Sequence, residues 1–312
     1  MGRIRYWLFL ILVLSGIVNS AYGKIIPFPG RYSTIQDCID AAFPGDTVVI
    51  AEGYYYENIH FRGKDITVSS HFILDNDRQH IENTIIDGSR FTDSLSRSTV
   101  NMIMCMDTTS VLKGLTITGG GGSLLGLKPN EHWLGGGVLI HQSSGKIENN
   151  IIRDNFMNYE HCVNAGAGIL ASAIYGNRII IRGNLIQRNV IETYEEADAA
   201  GLCAVAAEEG HILIENNRIL DNRAISHGNE LAHGGGVSLF GMYPEGASLI
   251  FRNNYIADNK TSASRGTGRI KAYGGGINVI YYDFPSESKI LNPFLIISEN
   301  KIHNNQSWPI AG

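Results

Sequence analysis

Beyond about residue 130, short stretches of alternating apolar and polar positions restart at near-regular intervals. One motif, Asn-x-Ile-x-x-Asn, occurs five times, at residues 150–155, 184–189, 217–222, 254–259 and 300–305. Its central residue is Ile in every copy: Ile152, Ile186, Ile219, Ile256 and Ile302. Three residues before each first Asn stands Ile147, Ile181, Ile214, Phe251 or Ile297. Upstream of each copy is a triad of small residues, followed by apolar residues two apart. The copies are Gly135-Gly136-Gly137-Val138-x-Ile140, Gly166-Ala167-Gly168-Ile169-x-Ala171, Ala199-Ala200-Gly201-Leu202-x-Ala204, Gly234-Gly235-Gly236-Val237-x-Leu239 and Gly274-Gly275-Gly276-Ile277-x-Val279. The last residue of the triad advances by 31, 33, 35 and 40 positions. A spacing of two places apolar side chains on one face of a strand, so each unit predicts at least two short strands separated by turns. A unit this small buries its apolar face only by stacking on the next one.

Stacking sets like residues on like residues, about 4.8 Å apart between paired strands. The Ile positions then fill an interior. The first Asn of each copy (Asn150, Asn184, Asn217, Asn254 and Asn300) predicts a ladder in which side-chain amides bond the next Asn and the turn backbone. Asn also tolerates the left-handed conformation of tight turns, and the triads supply backbone freedom at another corner. A leucine-rich repeat would require Leu at these positions and a helical return; a propeller would require four antiparallel strands per unit. The predicted fold class is all-β, a right-handed parallel β-helix, the hand following the general preference of parallel crossovers. Near the start, Ser33 and Gln36 have capping-box spacing, and Ile35, Cys38, Ile39 and Ala42 share one helical face until Pro44-Gly45. A short N-terminal amphipathic helix is therefore expected to cap the open end of the solenoid, with strands at 47–50 and 66–68 after it.

Several stretches carry a family resemblance. Thr34-Ile35-Gln36 through Gly45-Asp46-Thr47-Val48-Val49-Ile50, Tyr56-Glu57-Asn58-Ile59 and Gly63-Lys64-Asp65-Ile66-Thr67-Val68 resemble the opening of pectate-lyase-like β-helix proteins. Thr84-Ile85-Ile86-Asp87-Gly88 and Gly114-Leu115-Thr116-Ile117-Thr118-Gly119 resemble the coils that follow. The likeness runs from about Ser33 to the end and implies the fold. That superfamily holds lyases, hydrolases, esterases, epimerases and adhesins, so the resemblance alone implies no single activity.

Composition narrows location and partners. The chain has 312 residues, 44% hydrophobic and 18% charged, which excludes wholesale disorder. Arg3 and Arg5 precede an apolar run at 7–18, too short to span a bilayer, and small residues Ala21 and Gly23 follow. This is the pattern of a secretory signal peptide, residues 1–23, preceding a β-helix domain at 24–312. The expected location is secreted, cell-surface or periplasmic, with no membrane span. Net charge is −5, and with the leader removed 23 basic residues face 30 acidic ones, a balance of −7. Such a balance excludes a general nucleic-acid binder. Cys38, Cys105, Cys162 and Cys203 fit no zinc spacing, and buried thiols are expected rather than a disulfide framework.

Familiar catalytic signatures are absent. The run Gly119–Gly122 lacks the Lys-Ser/Thr of a phosphate loop, and Gly166-x-Gly168-x-x-Ala171 belongs to the repeat rather than to a dinucleotide fold. No His-Glu-x-x-His or Gly-x-Ser-x-Gly occurs, and the His residues stand singly. Candidate chemistry falls in the segments that vary in length between repeats, 156–165, 190–198, 223–233 and 260–273, expected to be loops lying side by side on one flank. They carry Glu192, Glu195, Glu196 and Asp198, then Glu230, then Arg265, Arg269 and Lys271. Carboxylates in this setting suit Ca²⁺, and the resemblance implies that such an ion would bridge to a uronate while an Arg or Lys removes a proton. The same charges also suit a solvated, self-compensating surface. Phe156, Tyr159, Tyr194 and Trp308 are candidates to stack on sugar rings. The expected function is contact with extracellular polysaccharide without assignable catalysis, the rivals being a uronate lyase and a structural spacer or adhesin. A loop is expected at 306–309, and Ile310-Ala311-Gly312 then opens what resembles a new triad. A chain cut short is expected, with a monomer the expectation for the complete protein.

Overall fold

The computed structural model describes residues 23–126, 131–160, 162–228, 231–242, 246–264, 272–282 and 294–310. Residues 1–22 of the expected leader at 1–23, Glu230, Arg265, Arg269, Lys271 and the final two residues lie outside the described residues.

The chain forms a parallel β-solenoid of about six turns. Three sheets enclose its main core. A nine-stranded sheet runs from Ile25–Phe28 to Leu295–Ser298, and an eight-stranded sheet runs from Gly53–Tyr55 to Lys301–His303. A seven-stranded sheet collects the strands that follow the small-residue triads, among them Val138–His141, Ile169–Ala173, Leu202–Ala207 and Val237–Met242. It is called the triad sheet below. Register is that of the repeat. Leu112, Ile147, Ile181, Ile214, Phe251 and Ile297 pair in one column. Ile86, Ile117, Ile152, Ile186, Ile219, Ile256 and Ile302 pair in another. Because the units offer large apolar residues, mostly Ile, at the same register positions, the columns stack into one continuous core.

Two asparagine ladders run up the solenoid, where one was expected. In the first, the Nδ2 of Asn150 donates to the Oδ1 of Asn184, and the pattern repeats through Asn217, Asn254 and Asn300. In the second, Asn155, Asn189, Asn222, Asn259 and Asn305 are linked in the same way. From Asn184 and Asn189 onward each Oδ1 also accepts from the backbone N–H of the Asn one coil below, and the Oδ1 atoms of Asn150 and Asn155 accept from the N–H groups of Leu115 and Gly120. The left-handed residue is not the ladder Asn but the one before it: Asn149, Gly183, Asn216 and Asn253 on one side, Asp154, Arg188, Asp221 and Asp258 on the other. The kink turns the next side chain inward, where the amide offers a donor and an acceptor on separate atoms to the coil above and the coil below.

At the third triad position the neighbouring coil comes too close for a side chain. A Cβ at Gly201 would lie 2.3 Å from the carbonyl oxygen of Gly236 and 3.0 Å from the Asn222 Nδ2. Gly201→Ala is expected to lose about 1–3 kcal/mol, the range for forced overpacking, because a backbone oxygen cannot step aside. A urea midpoint unchanged by this substitution would contradict the assignment.

The segments expected to be variable loops do lie side by side, but as strands. Phe156–Met157, Val190–Thr193, Arg223–Ser226, Lys260–Ser264 and Gln306–Ile310 form a five-stranded parallel sheet, so the expected loop at 306–309 is extended strand. Val163–Ala165, Ala197–Asp198, Ala232–His233 and Ala272–Tyr273 belong to a further seven-stranded sheet, in which Gly122–Leu125 pairs antiparallel with both its neighbours. Small side chains allow these outer layers to close. Met157, Ile191, Ala197, Ala200, Ala224, Ala232 and Ala263 form a second core between the five-stranded sheet and this inner flank sheet. The opposite face of the inner flank sheet packs on the outward face of the triad sheet, through Ala165 against Leu139, Leu170 and Cys203.

A helix occupies Ile35–Ala41 and buries Ile35, Cys38 and Ile39 against the first strands. Its capping box is Thr34 with Asp37, one residue later than the expected Ser33 and Gln36. The Glu57 carboxylate accepts from the N–H groups of Ile35 and Gln36, which explains the shift: the first turn is anchored from outside. Cys38, Cys105 and Cys203 are buried free thiols. Among the described residues no helix is long and apolar enough to cross a membrane.

Candidate functional site

The interface between the inner flank sheet and the triad sheet changes character along the solenoid. In the early coils Leu134 and Ala165 face Leu139 and Leu170. In the same columns the later coils place Asp198, His233 and Tyr273 opposite Cys203, Ser238 and Asn278. Polar groups replace hydrocarbon at positions where the repeat requires only packing.

The strand geometry brings three of these groups together. Asp198 and His233 are paired partners on adjacent coils, so their side chains leave the same face. Glu196 immediately precedes this strand, and its carboxylate reaches the same group. The Nδ1 of His233 is 3.3 Å from a Glu196 carboxylate oxygen and 4.0 Å from one of Asp198. One donor atom from each residue fits within a mutual distance of 4.8 Å. The Ser238 hydroxyl donates to Asp198 Oδ1 at 2.7 Å. Asp198 and His233 are both nearly closed off from solvent, while Glu196 is about one-third exposed.

Burial sets the electrostatics. Loss of hydration pushes the Asp198 carboxyl up to about 7, aided by the Glu196 charge and opposed by the Ser238 hydrogen bond and His233. Burial alone would lower His233, but the two carboxylates outweigh it and raise the imidazole. The Cys203 thiol is driven well above its ordinary value by burial first and then by the same acidic pair, which disfavours the thiolate.

The acidic residues singled out from the sequence do not act as one group. Glu192 leaves the five-stranded sheet and meets the His227 Nε2 at 2.8 Å. Glu195 is not part of the three-residue cluster, which contains Glu196, Asp198 and His233. A calcium ion takes six to eight oxygen ligands. Here there are three donor groups and one of them is nitrogen, so this set does not fit Ca²⁺. His233, Ser238 and Cys203 were not singled out from the sequence. The signal was present, because the residue before each triad runs Leu134, Ala165, Asp198, His233, Tyr273, and a switch from apolar to ionisable at fixed register marks the site.

The candidate aromatics divide. Tyr159 stacks on Trp133 with ring centroids 3.6 Å apart and so packs the flank down. Phe156, Tyr194 and Trp308 are 48%, 55% and 47% exposed, on or beside the five-stranded sheet. On the same sheet Arg223 and Lys260 are paired partners, with Val190 and Phe156 continuing the column. The alternate column, Met157, Ile191 and Ala224, is buried, which leaves the Phe156 column facing outward.

A cleft of about 340 Å³ lies elsewhere, near the first coils, and includes Gln36, Tyr56, His60, Arg62, Arg90 and Asp93. Its polar groups are largely committed to the fold. Gln36 bonds the backbone of His60 and the Asp40 side chain, Arg62 pairs with Asp40, and Arg90 lies 3.6 Å over the Tyr56 ring.

No family model matches this sequence, and the searches of curated proteins and of solved structures found no match either.

Proposed function

We propose that this protein is an exported, right-handed β-helix of the pectate-lyase-like kind that binds polysaccharide along the outward face of its five-stranded sheet. Helix Ile35–Ala41 serves as its N-terminal cap. The observation that carries the binding reading is the exposure of Phe156, Tyr194 and Trp308 along one flank. Phe156 and Trp308 stand on strands four spacings apart, about 19 Å, a span suited to several sugar units. A large ring exposed on a rigid sheet keeps its face available for a sugar ring at low entropic cost. The Arg223–Lys260 column adds cations that favour an acidic polymer. Export rests on the leader pattern of residues 1–23.

The test is affinity electrophoresis of the protein in gels cast with a uronate polymer or a neutral glucan. Retardation is expected in the uronate gel. The variant carrying Phe156→Ala, Tyr194→Ala and Trp308→Ala is expected to bind at least tenfold more weakly with an unchanged melting curve. Equal mobility with and without polymer would overturn the reading in favour of a structural spacer. Appearance of an unsaturated, ultraviolet-absorbing product on incubation with the uronate polymer and Ca²⁺ would replace it with a lyase.

A further inference from the structure

We propose that Glu196, Asp198 and His233 form a binding site for a first-row divalent transition-metal ion of the zinc class, held between the inner flank sheet and the triad sheet. This inference is independent of the polysaccharide reading. Two separate observations support it. The first is the meeting of two carboxylates and an imidazole within 4.8 Å, two of the three, Asp198 and His233, being held by strand register. The second is that the buried His233 Nδ1 has no hydrogen-bond partner although it points at both acids. A buried imidazole nitrogen that faces two acids without a well-directed hydrogen bond is costly, and a metal ion taking the place of its proton would satisfy all three groups.

The spacing fits the chemistry. Two ligands that each lie 2.0–2.1 Å from a tetrahedral ion are separated by about 3.3 Å. The His233 Nδ1 to Glu196 separation is already 3.3 Å, and Asp198, at 4.0 Å, needs only a small side-chain adjustment. The Ser238 hydroxyl donates to Asp198 Oδ1, the oxygen nearest His233, and so fixes the orientation of the carboxylate. One nitrogen and two carboxylate oxygens select zinc-class ions over Ca²⁺ and Mg²⁺, which require more oxygens. Three protein ligands leave a fourth position to solvent, on the side where Glu196 is partly exposed.

The full-length chain, stripped with chelator and dialysed, is titrated with Co²⁺ while visible absorbance is read, and separately melted with Zn²⁺ or Ca²⁺. One equivalent of Co²⁺ is expected to produce the visible bands of a low-coordinate site. Zn²⁺ is expected to raise the melting temperature, and Ca²⁺ to leave it unmoved. His233→Gln and Glu196→Gln are each expected to weaken Zn²⁺ binding at least tenfold. The Glu196 variant removes a partly exposed group and keeps the test valid if the His233 variant misfolds. Absence of Co²⁺ bands, Zn²⁺ binding undiminished in Glu196→Gln, or a Ca²⁺ response equal to that of Zn²⁺ would overturn the proposal and leave a buried ion pair only.

Discussion

Ile219→Asp is expected to abolish the single cooperative unfolding transition and to destabilise the fold by more than about 4 kcal/mol. Ile219 is fully buried and pairs with Ile186 below and Ile256 above. The substitution removes hydrocarbon from a closed column and places a carboxylate there, with no cation in the column to receive it. Water cannot reach the position, so the group would have to be protonated or expose the interior. In a solenoid each coil is held mainly by its two neighbours, so a fault in a middle coil separates the coils on either side of it. Far-UV circular dichroism during heating is the measurement. A sharp transition at the original temperature would mean that Ile219 does not face the core.

The second-largest effect is expected of Asn222→Ala, a loss of about 3 kcal/mol or more, obtained from urea midpoints. Asn222 is fully buried, and its side chain works in both directions. Its Oδ1 accepts from the backbone N–H and the Nδ2 of Asn189, and its Nδ2 donates to the carbonyl of Ile186 and to Asn259. Alanine would leave buried donors and an acceptor without partners on two coils, each at a cost of about 1–3 kcal/mol. Asn300→Ala, on the last coil, is expected to cost less, because Asn300 is only partly buried and its stranded partners are nearer water. Equal losses at the two sites would show that the ladder contributes through turn conformation alone.

The repeat made the solenoid legible. Strict positional identity of Ile152, Ile186, Ile219, Ile256 and Ile302 predicts stacked columns without knowledge of any homologue, and the observed pairing follows that register. The second ladder was equally available, because Asn155, Asn189, Asn222, Asn259 and Asn305 recur as faithfully as the first set. What local pattern did not reveal is the structure of the intervening segments. Two-residue strands such as Ala197–Asp198 are too short to show alternation, and their strand state comes from the coil above and the coil below.

The candidate site divides along the same line. Glu192, Glu195, Glu196 and Asp198 are one acidic run in the sequence, and proximity along the chain suggested a single charge cluster. The strand pairing instead sends Glu192 to His227 on the outer face and turns Glu196 and Asp198 toward His233 between two sheets. Sequence by itself determined the repeat length, the inward Ile and Asn positions and the parallel stacking, because those depend on nearest-neighbour periodicity that every unit restates. Only the tertiary structure decided which ionisable groups meet. That choice depends on the folding of the inner flank sheet over the triad sheet, which pairs a residue of one coil with residues of the next across more than thirty positions of chain, and on the burial that raises Asp198 to about 7.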